Sequence, residues 1–181
     1  LHTLEYQFHG NIISGSTREK SMNVHLIQWI INNYTQTDFT VYKGLTTLPH
    51  FNPDLDTSQP PTTVVELRAA LKAADGVLIC TPEYAMGVPG SLKNLLDWTV
   101  SSSDFSQKPV AVITASTSGE KAHESLLGTL RVIEAKIEDA ASLVISHIKA
   151  KVNNKDEITD EKTRSDVKKV METFERMLIG E

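Results

Sequence analysis

The sequence predicts an α/β fold in which a five-stranded parallel sheet, ordered 2-1-3-4-5, carries helices on both faces. Three observations predict it. Five apolar or β-branched runs alternate with five segments whose apolar residues recur at helical spacing, the pattern of a parallel sheet joined by crossover helices. Two of the runs, Gly76-Val-Leu-Ile-Cys80 and Pro109-Val-Ala-Val-Ile-Thr-Ala115, are almost wholly apolar, as strands covered on both sides are. Right-handed crossovers leave few strand orders open. At 181 residues the chain fits one domain with one sizeable core.

The first strand is short, residues 11–14, with Ile12 and Ile13 apolar and a start that can reach back toward Tyr6. Residues 15–23 form a polar loop. From Met22 the positions Leu26, Ile27, Ile30, Ile31 and Tyr34 trace a helix. Residues 38–42 suit a second strand through their aromatic and β-branched side chains. Residues 48–61 hold four of the seven prolines and read as a long loop. Thr62 or Thr63 can cap the next helix, which runs to Ala74 with Val65, Leu67, Leu71 and Ala74 available to the core. The third strand, residues 76–80, empties into a loop shaped by Pro82, Gly87, Pro89 and Gly90. Helical spacing resumes at Ser91 through Leu92, Leu95 and Leu96, passes Trp98 and ends near Val100. That apolar face suits either core packing or an interface. Residues 101–107 are a polar turn, 109–115 the fourth strand, 116–121 a loop and 122–137 a helix. Residues 143–148 read as the fifth strand, 149–156 as a solvated connection, and 157–179 as an amphipathic helix carrying Val167, Val170, Met171, Phe174 and Leu178.

Composition narrows the function classes. Apolar residues make up 40% and charged residues 23%, ordinary for a soluble globular chain. A net charge of -5 leaves no basic stripe for nucleic acid and nothing for an anionic membrane surface. No apolar run approaches the ~20 residues that span a bilayer, and no signal peptide is expected, because no apolar stretch follows a basic start. Residues 1–10 show no clear periodicity and are expected to be irregular. The single cysteine, Cys80, excludes an internal disulfide and fits a reducing cytosol; at the end of a buried strand it reads as a packed hydrophobe. The six histidines show no ligand spacing, so no metal is expected.

In open α/β sheets, ligands bind where loops leave the carboxyl ends of the strands. The proposed order makes strands one, three and four neighbours, so their loops share a rim. The first loop suits a phosphate: Ser16, Thr17, Ser21 and Asn23 supply neutral donors, Arg18 a charged fork, and the following helix unpaired amides. It matches neither the dinucleotide fingerprint nor the nucleoside-triphosphate loop. In the second loop, Tyr84 and Met86 offer an aromatic face and a thioether to a flat ligand, while Glu83 either bonds locally or receives a proton. In the third, Gly119 allows close backbone approach, and Lys121 either sits near an anion or is solvated. No serine lies in a nucleophile elbow, so an enzyme built this way needs a cofactor for the hard chemistry.

These residues resemble the NADPH-dependent FMN reductase family, the flavodoxin-like group that includes quinone, azo-dye and chromate reductases. Ser14-Gly-Ser-Thr-Arg-Glu-Lys-Ser-Met-Asn23 is similar to the family's SGSxRxxSxN loop, and Thr81-Pro-Glu-Tyr-Ala-Met-Gly-Val-Pro-Gly-Ser-Leu-Lys-Asn-Leu-Leu-Asp97 to its PEYNxSxPGxLKNxxDW stretch. Phe51-Asn-Pro-Asp54 and residues 116–119 resemble two further family loops. The resemblance runs from Ile13 to about Ile137. It implies a flavodoxin-like three-layer sandwich. It also implies that Ser16, Arg18, Ser21 and Asn23 hold an FMN phosphate, and that Pro82, Glu83 and Tyr84, with Ala85 and Met86 in the same turn, line the flavin ring beside Ser116 and Gly119. Two positions depart from the pattern: Ala85 stands where the family usually has Asn, and Met86 replaces a small residue. The implied activity passes hydride from NADPH or NADH through FMN to a small-molecule acceptor such as a quinone, an azo compound or free flavin, in a cytoplasmic homodimer or homotetramer. Two other readings stay open: an FMN-binding electron carrier, and a flavin-free sensing or interaction domain on the same sheet.

Overall fold

A computed structural model describes residues 8–180. Strands β1 (Phe8–Ser14), β2 (Thr37–Tyr42), β3 (Gly76–Thr81), β4 (Val110–Ala115) and β5 (Ser142–Ile145) form one sheet in the order β2-β1-β3-β4-β5. Every pairing is parallel. This is the flavodoxin-like order that the alternation predicts. Strand β1 reaches back from residue 11 to Phe8, as the sequence allows; a further reach to Tyr6 lies outside the described residues.

Period-2 alternation sends neighbouring strand residues to opposite faces, and each face has its own helices. Ile12, Leu78, Cys80, Ala111 and Ile113 pack against Leu26, Ile27 and Ile30 of α1 (Met22–Asn33) and Val167, Val170, Met171 and Phe174 of α5 (Glu161–Ile179). Ile13, Val77, Ile79, Val110 and Val112 pack against α2 (Thr62–Ala73), α3 (Gly90–Asp97) and α4 (Glu120–Val132) on the other side. Each fully buried aliphatic side chain contributes about 1.5–3 kcal/mol, so this two-sided burial is the main force holding the sandwich. Leu92, Leu95, Leu96 and Trp98 are completely enclosed; that face packs the core.

Some element ends differ from the sequence expectation, each for a physical reason. The buried stripe of α2 is Val64, Leu67 and Leu71, while Val65 is 49% exposed, because the helix starts after Pro61 and its phase places Val65 one step off the core. Neither Thr62 nor Thr63 caps it; Pro61 occupies the N-cap without a side-chain bond. Helix α4 stops at Val132 rather than Ile137: Glu134 takes a left-handed φ of 63°, and Lys136 exchanges backbone bonds with Lys108 and Val110, both 2.9 Å. A strand-like pairing beside β4 outcompetes the last helical turn. Strand β5 ends at Ile145, because His147 at φ 56° turns the chain into a short 3-10 helix over Ile148–Ala150. The connection after it is less solvated than expected, with Ile148 and Val152 buried and Val152 bridging Ile158. Helix α5 begins at Glu161 instead of Glu157, where the Asp160 carboxylate accepts from the Thr163 amide at 2.8 Å, an N-cap of the usual kind.

Candidate functional site

The loops at the carboxyl ends of four strands are tied side by side. The Gly15 amide donates to the Cys80 carbonyl at 2.8 Å, Ser116 to Ile145 at 3.1 Å, His147 to Thr117 at 3.0 Å and Ile148 to Ser116 at 3.1 Å. A Cβ at Gly15 would run into the Thr81 side chain, so glycine is what lets the first loop lie this close to β3. Between these loops opens a cavity of about 520 Å³, within the size range of cofactor pockets. Arg18, Ser21, Met22 and Asn23 line it from the first loop and α1, Pro82, Glu83 and Tyr84 from the loop after β3, and Ala115, Ser116 and Thr117 from the end of β4. His147, Ile148, Lys149 and Ala150 complete it from the loop after β5. Arg18 and Tyr84 therefore face one cleft.

The first loop is prepared for an anion. Ser21 caps α1, its hydroxyl accepting from the Asn23 amide at 3.3 Å. Asn23 is buried and donates its side-chain amide to the Ala115 carbonyl at 3.0 Å, which fixes the helix start over the end of β4. Its Oδ1 has no partner among the described residues. Arg18 is exposed, and no side-chain hydrogen bond or ion pair engages its guanidinium among the described residues. Ser16 is buried and does not line the cavity; its hydroxyl accepts from the Arg18 amide at 3.3 Å and lies 3.2 Å from the Tyr84 hydroxyl. It joins the first loop to the second.

The loop after β3 contains a tight turn. Tyr84 and Gly87 exchange backbone bonds, both 3.0 Å, across Ala85 at φ 49° and Met86 at φ 60°. Two consecutive left-handed residues are the geometry of a type I′ turn, which favours Asn and Gly. Ala and Met are unfavourable there; Tyr84 is half-exposed at the cavity, and Met86, 71% exposed, does not line it. Glu83 is committed elsewhere. Its carboxylate accepts from the Ala122 amide at 2.9 Å and from the Ser118 hydroxyl at 3.1 Å. The Ala122 amide, helped by Ser118 and the amides of Gly119 and Lys121, holds its carboxyl below the usual range against the opposing effect of burial. Glu83 thus caps α4 from outside, its carboxylate bonded locally to the start of that helix.

Gly119 does not reach the cavity. It is the N-cap of α4 at φ 119°, with Val144 and Thr114 where a side chain would go. Lys121 sits in solvent beside Glu124, 3.6 Å away. Ala85 and Met86 also lie off the lining. The fourth wall, from His147 to Ala150, has no counterpart in a sequence reading limited to strands one, three and four. Its signal was the basic, polar continuation of the fifth strand. Burial pushes the Cys80 thiol up to about 12, consistent with a packed, unreactive side chain. Among the described residues, no three His, Cys, Asp or Glu side chains gather to hold a metal ion, and no helix is long and apolar enough to cross a membrane.

A parallel sheet in this order, with a capped helix start and an aromatic rim at one cleft, defines a mononucleotide-binding α/β protein. The chain belongs to the NADPH-dependent FMN reductase family, whose model matches residues 11–150. It is 29% identical over 170 residues to a 2-hydroxy-1,4-benzoquinone reductase of Burkholderia sp., covering 90% of each chain. It is 27% identical over 169 residues to the NADH:(hydroxy)cinnamate reductase subunit CrdA of Vibrio ruber, covering 90% of this chain and 83% of that one. Among solved structures it resembles FerB, a flavoenzyme NAD(P)H:(acceptor) oxidoreductase of Paracoccus denitrificans, with a TM-score of 0.85, 25% identity, and coverage of 96% of this chain and 98% of FerB.

Proposed function

We propose that the protein is an FMN-dependent NAD(P)H oxidoreductase that reduces a small aromatic acceptor such as a quinone or an azo compound. The observation that carries this reading is the shared cleft: Arg18, whose guanidinium has no partner among the described residues, the capped start of α1, and the half-exposed Tyr84 ring line it together. The residues fit FMN. The dianionic phosphate suits the guanidinium, the Ser21 region and the first amides of α1. The flat ring suits Pro82 and Tyr84. Ser116 and Thr117 close the polar edge. Asn23 acts chiefly by fixing the helix start, Ser16 by holding Tyr84, and Gly119 by setting the start of α4.

FMN, when bound, supplies the acceptance and release of hydride. The chain's own residues bind, orient and exclude. Arg18 and α1 fix the phosphate. The Ser16–Tyr84 contact keeps the tyrosine from swinging off the rim. Amides of the loops after β3 and β4 offer donors to charge that develops at a ring edge. With Glu83 spent on α4, no side chain in the cleft is set up as a strong base. Nicotinamide and acceptor then use the open side of the cleft in turn. The lone, buried Cys80 suits a reducing compartment, and the family resemblance supports a homodimer or homotetramer.

The test is the visible spectrum of the purified protein before and after anaerobic addition of NADPH or NADH. The expected result is a yellow protein, or one that turns yellow with added FMN, bleached by the nicotinamide and recoloured by a quinone. A colourless protein that neither binds FMN nor oxidises either nicotinamide would overturn the reading.

A further inference from the structure

The loop after β5 brings a further cation, Lys149, and an imidazole, His147, to the cleft. His147 and Lys149 both line the cavity, and both are exposed. Among the described residues neither side chain forms a hydrogen bond or an ion pair, in a chain whose net charge is -5. The backbone places them deliberately. His147 takes φ 56°, and its amide bonds the Thr117 carbonyl at 3.0 Å, so the 3-10 turn carrying Lys149 is pinned to the end of β4. The start of α1 is pinned to that same end, by Asn23 on the Ala115 carbonyl at 3.0 Å. A second tie, His25 to Asp156 at 2.7 Å, joins the first turn of α1 to the connection that follows the Lys149 turn. The capped start of α1 and the His147–Lys149 turn are therefore held on nearby carbonyls, Ala115 at the end of β4 and Thr117 in the loop that follows it.

Charge arithmetic gives that arrangement a purpose. A phosphate monoester carries about -1.5 to -2 at neutral pH, and Arg18 supplies one positive charge. On the reading that FMN occupies this cleft, we infer that Lys149, with His147 beside it, is the second cation for the FMN phosphate, closing the site from the wall opposite Arg18. The loop after β5 then discriminates FMN from riboflavin, which has the same ring and no phosphate.

The test titrates the full chain with FMN and with riboflavin, following quenching of flavin fluorescence. Lys149→Met is expected to raise the FMN dissociation constant about 10- to 100-fold, the loss of one charge-assisted contact, with riboflavin binding unchanged. Lys149→Arg restores FMN binding, and His147→Gln gives a smaller loss of the same selectivity. Unchanged FMN affinity in Lys149→Met overturns the inference. So does an equal loss of both flavins, which assigns Lys149 to the ring or the fold. A raised KM for NADPH with FMN affinity intact also overturns it, by assigning the lysine to the nicotinamide dinucleotide. A wild-type protein that binds neither flavin sinks the functional reading as well, a result distinct from a variant that still holds FMN.

Discussion

Within the continuous stretch from Thr81 to Trp98, the front and the back behave oppositely. The front, Tyr84 to Met86, is exposed, carries two left-handed residues and presents Tyr84 to the cleft. The back is satisfied and enclosed. Asn94 accepts from the Phe51 amide at 2.7 Å and donates to the Pro49 carbonyl at 3.0 Å; Trp98 Nε1 donates to that same carbonyl at 2.8 Å. The Phe51 and Trp98 rings meet edge to face at 5.0 Å, and Arg68 reaches the Trp98 carbonyl and Asp56. The back half anchors the long proline-rich loop; the front half brings Glu83 and Tyr84 to the cavity wall. A long specific motif thus divides into a part that is conformationally costly and open, and a part that supplies the packing that holds it.

The largest effect should come from the anchor. Trp98→Ala removes a fully buried indole and its Pro49 bond, and should lower stability by about 3–5 kcal/mol, read as a shift in the urea midpoint. Loss of flavin binding with the midpoint unchanged would erase the division. The converse holds at the cleft. Arg18→Met should weaken FMN binding by roughly 10- to 100-fold while leaving the denaturation curve in place.

Smaller effects sharpen the picture of the front turn. Met86→Gly relieves one left-handed side chain and should add about 1 kcal/mol of stability, with thermal unfolding as the measure; a loss would mean that the exposed thioether makes contacts of its own. Glu83 gives a pH signature. Its folded pKa is lowered from the ordinary 4.5, so its contribution is complete above that value and drains away as pH falls through the lowered one. Glu83→Gln should flatten this part of the acid unfolding limb and lower stability at neutral pH, where the ionised carboxylate makes its full contribution.

Much of the fold was legible because burial writes itself into the strands. Gly76 to Cys80 and Val110 to Ala115 read as covered on both faces, and the alternation with helices pointed to a parallel sheet, whose order was one choice among the few that right-handed crossovers allow. Element ends were less legible. Val65 and Val64 are both apolar β-branched neighbours, and only the phase set at Pro61 chooses which one is buried. The end of α4 was settled by a backbone pairing with Lys108 and Val110 that no local pattern announces. At the cleft, Arg18 and Tyr84 were visible as chemistry, whereas His147 and Lys149 look like any polar loop until β5 lies beside β4.

The sequence alone determined the layered α/β architecture, the polar first loop and the irregular, punctuated loop after the third strand, because apolar periodicity, polar donors and Pro/Gly punctuation act over short distances along the chain. Tertiary structure decided which side chains share the cleft, why Glu83 serves α4 rather than a ligand, and that the loop after β5 forms a wall. Those outcomes rest on contacts between residues far apart in sequence, and only the closed sheet brings them within hydrogen-bonding reach.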